Sequence, residues 1–138
     1  MTVRNSKFQI NTKGYTDIID ITHKVKNEVY KYGLKDALVQ VYVAGSTVSL
    51  TTIEYEPGLI KDFPQIMEKL VPSSEFYHHD DTWHDGNGHS HIRASIIGNS
   101  VSIPLVEGAL QIGTWQQIVL IDFDNKPRSR TVTLQVID

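Results

Sequence analysis

The chain has no cysteine among its 138 residues. That absence removes disulfide frameworks, thiolate zinc sites and cysteine nucleophiles together, so any transition metal must be held by histidine and carboxylates. An excess of positive charge is missing too. Lys and Arg number 13 against 16 Asp and Glu, a net charge of -3, and no window interleaves basic residues with aromatics. Nucleic-acid binding is therefore not expected, because affinity for the phosphate backbone rests on neutralisation by Lys and Arg. Long hydrophobic runs are also lacking. Met1 to Ile10 alternates polar and apolar residues, so neither a signal peptide nor a membrane span is expected there, and a cytoplasmic protein follows by default. Repeats, low-complexity tracts, glycine-rich phosphate loops and nucleophile elbows are absent as well.

What is present is enough for one domain over residues 1–138, since 40% hydrophobic content can build a packed core without a staple. Phe8 and Ile10 read as a first strand and Thr16 to Ile21 as a second. Thr22 reads as a helix N-cap, Val25, Val29 and Tyr32 follow at helical spacing, and Gly33 is the stop. Ala37 to Val43 and Thr47 to Ile53 are β-rich and separated by Gly45-Ser46. Gly58 to Leu70 repeats helically around an internal Pro64, so the helix either starts near Phe63 or is kinked. Ile92 to Ile97, Val101 to Pro104, Leu110 to Ile112, Trp115 to Phe123 and Arg128 to Ile137 are strand candidates. The predicted class is α+β, mostly antiparallel, with two helices.

Five of the six histidines, His78, His79, His84, His89 and His91, fall between positions 78 and 91, with Asp80, Asp81 and Asp85 among them. Asp85-Gly86-Asn87-Gly88 is a turn sequence that would bring Tyr77 to Asp80 back beside His89 to His91. On a strand, residues two apart share a face, so His89 and His91 would point at one ion, about 7 Å apart at their Cα atoms. With one of His78 and His79 they give three imidazoles and an open coordination position, which suits catalytic zinc; nickel, cobalt and manganese are alternatives. The aspartates could ligate the ion or hold the far ring nitrogen of a ligand. The bland alternative is a polar, solvated loop.

Glu54 and Glu56 end the β-rich run before Pro57-Gly58, where a general acid or base could sit, or where Glu56 could simply serve the next helix. Asn87 is a candidate for a substrate hydrogen bond or for a plain turn role. Arg128 and Arg130, two apart after Pro127, offer forked donors to a phosphate. Trp115 and Gln116, after the flexible Gly113, are candidates for substrate contact.

In order along the chain, Tyr77-His78-His79-Asp80, Gly86-Asn87-Gly88-His89-Ser90-His91, Ile103-Pro104, Gly113-Thr114-Trp115-Gln116 and Pro127-Arg128-Ser129-Arg130 resemble the signature of the YjbQ-like family. The resemblance covers nearly the whole chain. It implies a β-sandwich or half-barrel fold with helices, a homotrimer, and a histidine pocket that binds metal near a subunit interface. It also implies secondary thiamine-phosphate synthase activity, which joins a pyrimidine diphosphate to a thiazole phosphate. By position, the family's histidines fall on His79 and His91 and its glutamate on Glu54. Many members carry a His-Thr-Thr or His-Thr-Ser tripeptide where this chain has Gly45-Ser46-Thr47, and His89 is the expected replacement for that lost ligand.

The resulting expectation is a zinc-type divalent-metal enzyme acting on a small phosphorylated metabolite by transfer or hydrolysis. His79, His89 and His91 would hold the ion, Arg128 and Arg130 the phosphate, and Glu54 would move protons, with Asn87, Trp115 and Gln116 touching substrate. The competing expectation is a trimer that binds metal or a small ligand without catalysis.

Overall fold

All strand pairings are antiparallel. The computed structural model describes residues 1–138 and begins with β1 (Val3–Thr12), β2 (Asp17–Asp20), α1 (Thr22–Tyr30), β3 (Ala37–Val43) and β4 (Val48–Ile53). Three helices follow, α2 (Pro57–Leu70), α3 (His78–Trp83) and α4 (Gly88–Ile97), and then β5 (Ser100–Val106), β6 (Ala109–Leu110), β7 (Gln117–Asp122) and β8 (Arg128–Ile137). The strands form a five-stranded sheet, β1-β8-β3-β5-β6, and a three-stranded sheet, β2-β7-β4. This is the α+β, half-barrel architecture expected.

Strand β7 explains the layering. Its apolar run is continuous, the pattern of a strand covered on both faces. Ile118 and Leu120 join the 17-residue core between the two sheets, together with Val25 and Val29 of α1. Val119 and Ile121 face the other way, into a second cluster with Met67 of α2, Ala94 of α4 and Phe123. The three-stranded sheet is thus sandwiched between the larger sheet and the helices. All four of these β7 side chains are 0% exposed, and burial of each contributes about 1.5–3 kcal/mol. Ser49 of β4 faces the helices as well; its hydroxyl donates to the Ala94 carbonyl at 3.0 Å. Its small size lets α4 lie close to the sheet.

Several local expectations change. Thr22 is the first residue of α1 rather than its cap. Its amide is accepted by Asp20 Oδ1 at 2.9 Å, and its hydroxyl accepts the Ile118 amide at 2.9 Å. Helix α2 begins at Pro57 and runs through Pro64; its N-cap is Glu56, whose carboxylate accepts the Gly58 and Leu59 amides. Those amides hold the Glu56 carboxyl below its ordinary range and assign it to capping, not acid–base work.

The largest change is in the histidine segment. Ile92 to Ile97, expected as a strand, belongs to α4, and α3 is a further helix before it, giving four helices in place of two. The Asp85-Gly86-Asn87-Gly88 turn does reverse the chain, but it joins helix to helix. The buried face of α4 carries His89, Ser90, Arg93 and Ala94, a helical repeat that the β-branched Ile92, Ile96 and Ile97 obscure in the sequence. No helix in the structure is long and apolar enough to cross a membrane.

Candidate functional site

The site is built where α3, α4 and the β7–β8 connection meet. Helices α3 and α4 can touch because position 88 is glycine: a Cβ there would lie 2.7 Å from Tyr77 Cβ. The Gly88 amide donates to Asp80 Oδ1 at 3.1 Å, and Tyr77 anchors the start of α3 by donating its hydroxyl to the Pro72 carbonyl at 2.6 Å. This contact brings His79 and His91 together, with ring centroids 4.3 Å apart.

His89 takes a different direction. Residues two apart on a helix are separated by about 200° around the axis, so the shared face expected of a strand does not exist. His89 is 8% exposed and packs beside Ser90, whose Oγ is 3.4 Å from its Nε2. Burial first, and the Arg93 charge second, keep its pKa below the ordinary value. The donor atoms that do converge are those of His79, Asp80 and Asp85, all within 4.8 Å of one another. His79 Nδ1 lies 3.8 Å from Asp80 Oδ1 and 3.7 Å from Asp85 Oδ1. Those separations are too long for hydrogen bonds, and His79 Nδ1 is buried without a partner. Donors 2.0–2.1 Å from a tetrahedral ion sit about 3.4 Å apart. The triad therefore fits a divalent cation, with His91 beside it and His89 outside. The donors that converge with His79 are thus two of the aspartates the sequence offered as possible ligands, and His89 is not among them.

On the other side of His91, Arg128 and Arg130 reach a cavity of about 280 Å³ that has no apolar residue in its wall. Both arginines are already engaged. Arg130 donates from Nε to Asp122 Oδ2 at 2.7 Å and from Nη2 to Asp122 Oδ1 at 2.9 Å. Arg128 donates from Nε to Asp124 Oδ2 at 3.1 Å. Gly45 lines the same cavity, and a Cβ on it would be 2.9 Å from Arg130 Nη1. At this position the chain sets a guanidinium against bare backbone. Burial raises the Asp124 pKa, but hydrogen bonds from Thr47 and Arg128 outweigh it and hold the carboxyl below its ordinary range. The His91 pKa is lowered by burial and then by the neighbouring His79.

Asn87 is 4% exposed and reaches this cavity, but its Oδ1 accepts the Asn125 amide at 3.1 Å, tying the α3–α4 turn to the β7–β8 connection. That bond serves the turn. Glu54, Trp115 and Gln116 are not at this site. They flank the far end of the three-stranded sheet, where Ile53 pairs with Gln117, whereas the cavity lies at the end where Val48 pairs with Asp122. The six residues of β4 separate Thr47 from Glu54, roughly 20 Å. At that far end Gln116 Nε2 donates to Thr52 Oγ1 at 2.9 Å, and Trp115 is 73% exposed. The residues expected in one pocket therefore form two groups within one chain. Asp122 and Asp124, which the sequence reading passed over, are central. The available signal was a pair of carboxylates two apart at the end of a fully buried strand, facing two arginines with the same spacing.

The sequence profile of the family described as "UPF0047 protein YjbQ-like" matches residues 6–138. The chain belongs to the YjbQ-like family. A UPF0047 protein of Archaeoglobus fulgidus is 40% identical over 128 residues, 93% of this chain and 97% of that one. Another, from Methanocaldococcus jannaschii, is 30% identical over 132 residues, 95% and 92% of the two chains. Among solved structures, a protein of Sulfolobus solfataricus described as YbjQ-like and of unknown function superposes with a TM-score of 0.92 at 29% identity, covering 99% of this chain and 97% of its own. A YjbQ/UPF0047 family protein of Clostridium acetobutylicum gives 0.86 at 32% identity, covering 96% and 99%. The YjbQ-like assignment thus rests on both sequence and fold.

Proposed function

We propose that this YjbQ-like protein is a metal-dependent enzyme acting on a small phosphorylated metabolite. The observation that carries the reading is the adjacency of two features. His79, Asp80 and Asp85 converge without bonding one another, and next to them an entirely polar cavity is lined by Arg128, Arg130 and His91. His79, Asp80 and Asp85 would hold a divalent ion, zinc or manganese by the mixture of imidazole and carboxylate, with His91 alongside. Such an ion supplies Lewis-acid polarisation of a phosphoryl oxygen.

The chain's own groups would do the rest. Arg128 and Arg130, steadied by Asp124 and Asp122, orient the phosphate and neutralise charge that builds on a leaving group. His91, whose pKa burial lowers, is the imidazole that faces the cavity and would serve as its base. Transfer of the thiamine-phosphate kind and hydrolysis are both compatible with these roles. Metal analysis of chelator-free protein, followed by a screen of phosphorylated metabolites with and without the metal found, tests the reading. Absence of copurified metal together with no binding on zinc titration rejects it.

One observation favours a second reading, a homotrimer that binds metal and ligand without catalysis. Glu54, the expected proton carrier, lies roughly 20 Å of strand away from the cavity and could serve it only from a neighbouring copy. Turnover that disappears on Glu54→Gln substitution would reject this second reading.

A further inference from the structure

Asp124 and His79 are the two residues with a buried side-chain atom that lacks a hydrogen-bond partner. Asp124 is 1% exposed, and its Oδ2 accepts from Thr47 Oγ1 at 2.9 Å and Arg128 Nε at 3.1 Å. Its Oδ1 is buried with no partner. Buried acceptors in folded proteins are almost always matched, so an unmatched one in a cavity wall marks a place reserved for something else. The wall holding Asp124 is the one shared by Arg128 and Arg130. Arg130 has its Nε and Nη2 committed to Asp122 and Thr47 while Nη1 makes no hydrogen bond.

The cavity therefore presents free cationic donors and, close by, the vacant oxygen of Asp124, with the Asp85 carboxylate also in its wall. A bare phosphate would use the donors but be repelled by Asp124 Oδ1. A ligand that also carries a hydroxyl would satisfy both. The ion does not account for the vacant acceptor, since Asp124 is outside the converging triad.

We propose that Asp124 is a specificity-determining residue whose Oδ1 accepts a hydrogen bond from a hydroxyl of the ligand, making the ligand class a hydroxylated phosphate monoester. This rests on the reading of the arginine cavity as a phosphate site. Without any apolar wall residue, the cavity offers nothing to an alkyl or aromatic body.

The test is calorimetric titration of the full-length protein with glycerol 3-phosphate and with n-propyl phosphate, which share a charged group and differ in their hydroxyls. Glycerol 3-phosphate is expected to bind about tenfold more tightly, the worth of one hydrogen bond to a charged acceptor. Asp124→Ala is expected to bring the ratio of the two affinities close to one. Equal binding of both esters to the parent protein overturns the inference and leaves the phosphate reading standing. Failure of both esters and of inorganic phosphate to bind overturns the phosphate reading, and this inference with it. A tenfold or greater loss of zinc affinity in Asp124→Ala would assign Oδ1 to the metal and also overturn the inference. Should that variant not fold, the comparison of the two esters on the parent protein decides alone.

Discussion

Arg130 and Asp122 form a two-point ion pair, Nε to Oδ2 at 2.7 Å and Nη2 to Oδ1 at 2.9 Å, with the Asp122 side chain 0% exposed and that of Arg130 11%. The pair joins the end of β7 to the start of β8 and fixes the guanidinium in the cavity wall. Asp122 also accepts from Thr12 Oγ1 at 2.6 Å and from the Asp124 amide at 3.0 Å, so its lone pairs are well used.

Removing the carboxylate should therefore strand a largely buried cation. Asp122→Ala is expected to destabilise the fold by about 3–5 kcal/mol, the range for breaking one half of a buried pair. Urea unfolding monitored by circular dichroism measures it. A loss below about 1 kcal/mol would mean that Arg130 finds other partners or solvent.

The helical position of His89 gives a prediction opposite to that of a strand. His79→Ala is expected to remove zinc binding measured by isothermal titration, because it deletes the nitrogen facing both aspartates. His89→Gln should leave zinc affinity within about threefold, since its ring lies outside the converging donors. A large loss in the His89 variant would restore it to the ligand set.

Gly88 should be intolerant of any side chain. The nearest obstacle to a Cβ is the root of the Tyr77 side chain at 2.7 Å, which no rotamer change removes. Gly88→Ala is expected to cost about 1–3 kcal/mol through overpacking, and, by pushing α3 off α4, to weaken zinc binding about tenfold or more. Thermal unfolding and zinc titration of the same preparation check both.

Acid sensitivity should run through Glu68. Its hydrogen bond from Arg93, and then the Ser73 amide, hold its pKa at about 2, below the ordinary 4.5. A carboxylate more acidic in the folded state stabilises the fold above its unfolded pKa and loses that contribution as pH falls from about 4.5 to about 2. The Glu68 side chain is 50% exposed, so solvent screening keeps the effect small. Glu68→Gln is expected to be slightly less stable than the parent at pH 7, with the difference closing as pH approaches 2. Urea midpoints across that range test it, and a difference independent of pH would remove Glu68 from the acid response.

How much was legible in the sequence follows the range of the forces involved. The antiparallel strands from Ala37 to Val43 and from Arg128 to Ile137 were readable, because period-two alternation and turn residues are local signals that the packed structure obeys. Trp115 to Phe123 was likewise readable as a strand, although its burial on both faces was established only by packing. Helix α4 was misread because β-branched Ile92, Ile96 and Ile97 suggest a strand when taken singly. Contact of the face bearing Ser90, Arg93 and Ala94 with β4 and α2 overrides that propensity.

The histidine concentration, the paired arginines and the family were all determined by the sequence itself, since they are matters of residue identity and order. Only the tertiary structure decided which side chains share a site. It placed His79 beside His91 and turned His89 away. It gave Asp122 and Asp124 to the arginines, and it left Glu54 and Trp115 at the opposite end of a strand. The reason is geometric: direction around a helix and position along a strand are set by packing between distant segments, and neither is written at any single position of the chain.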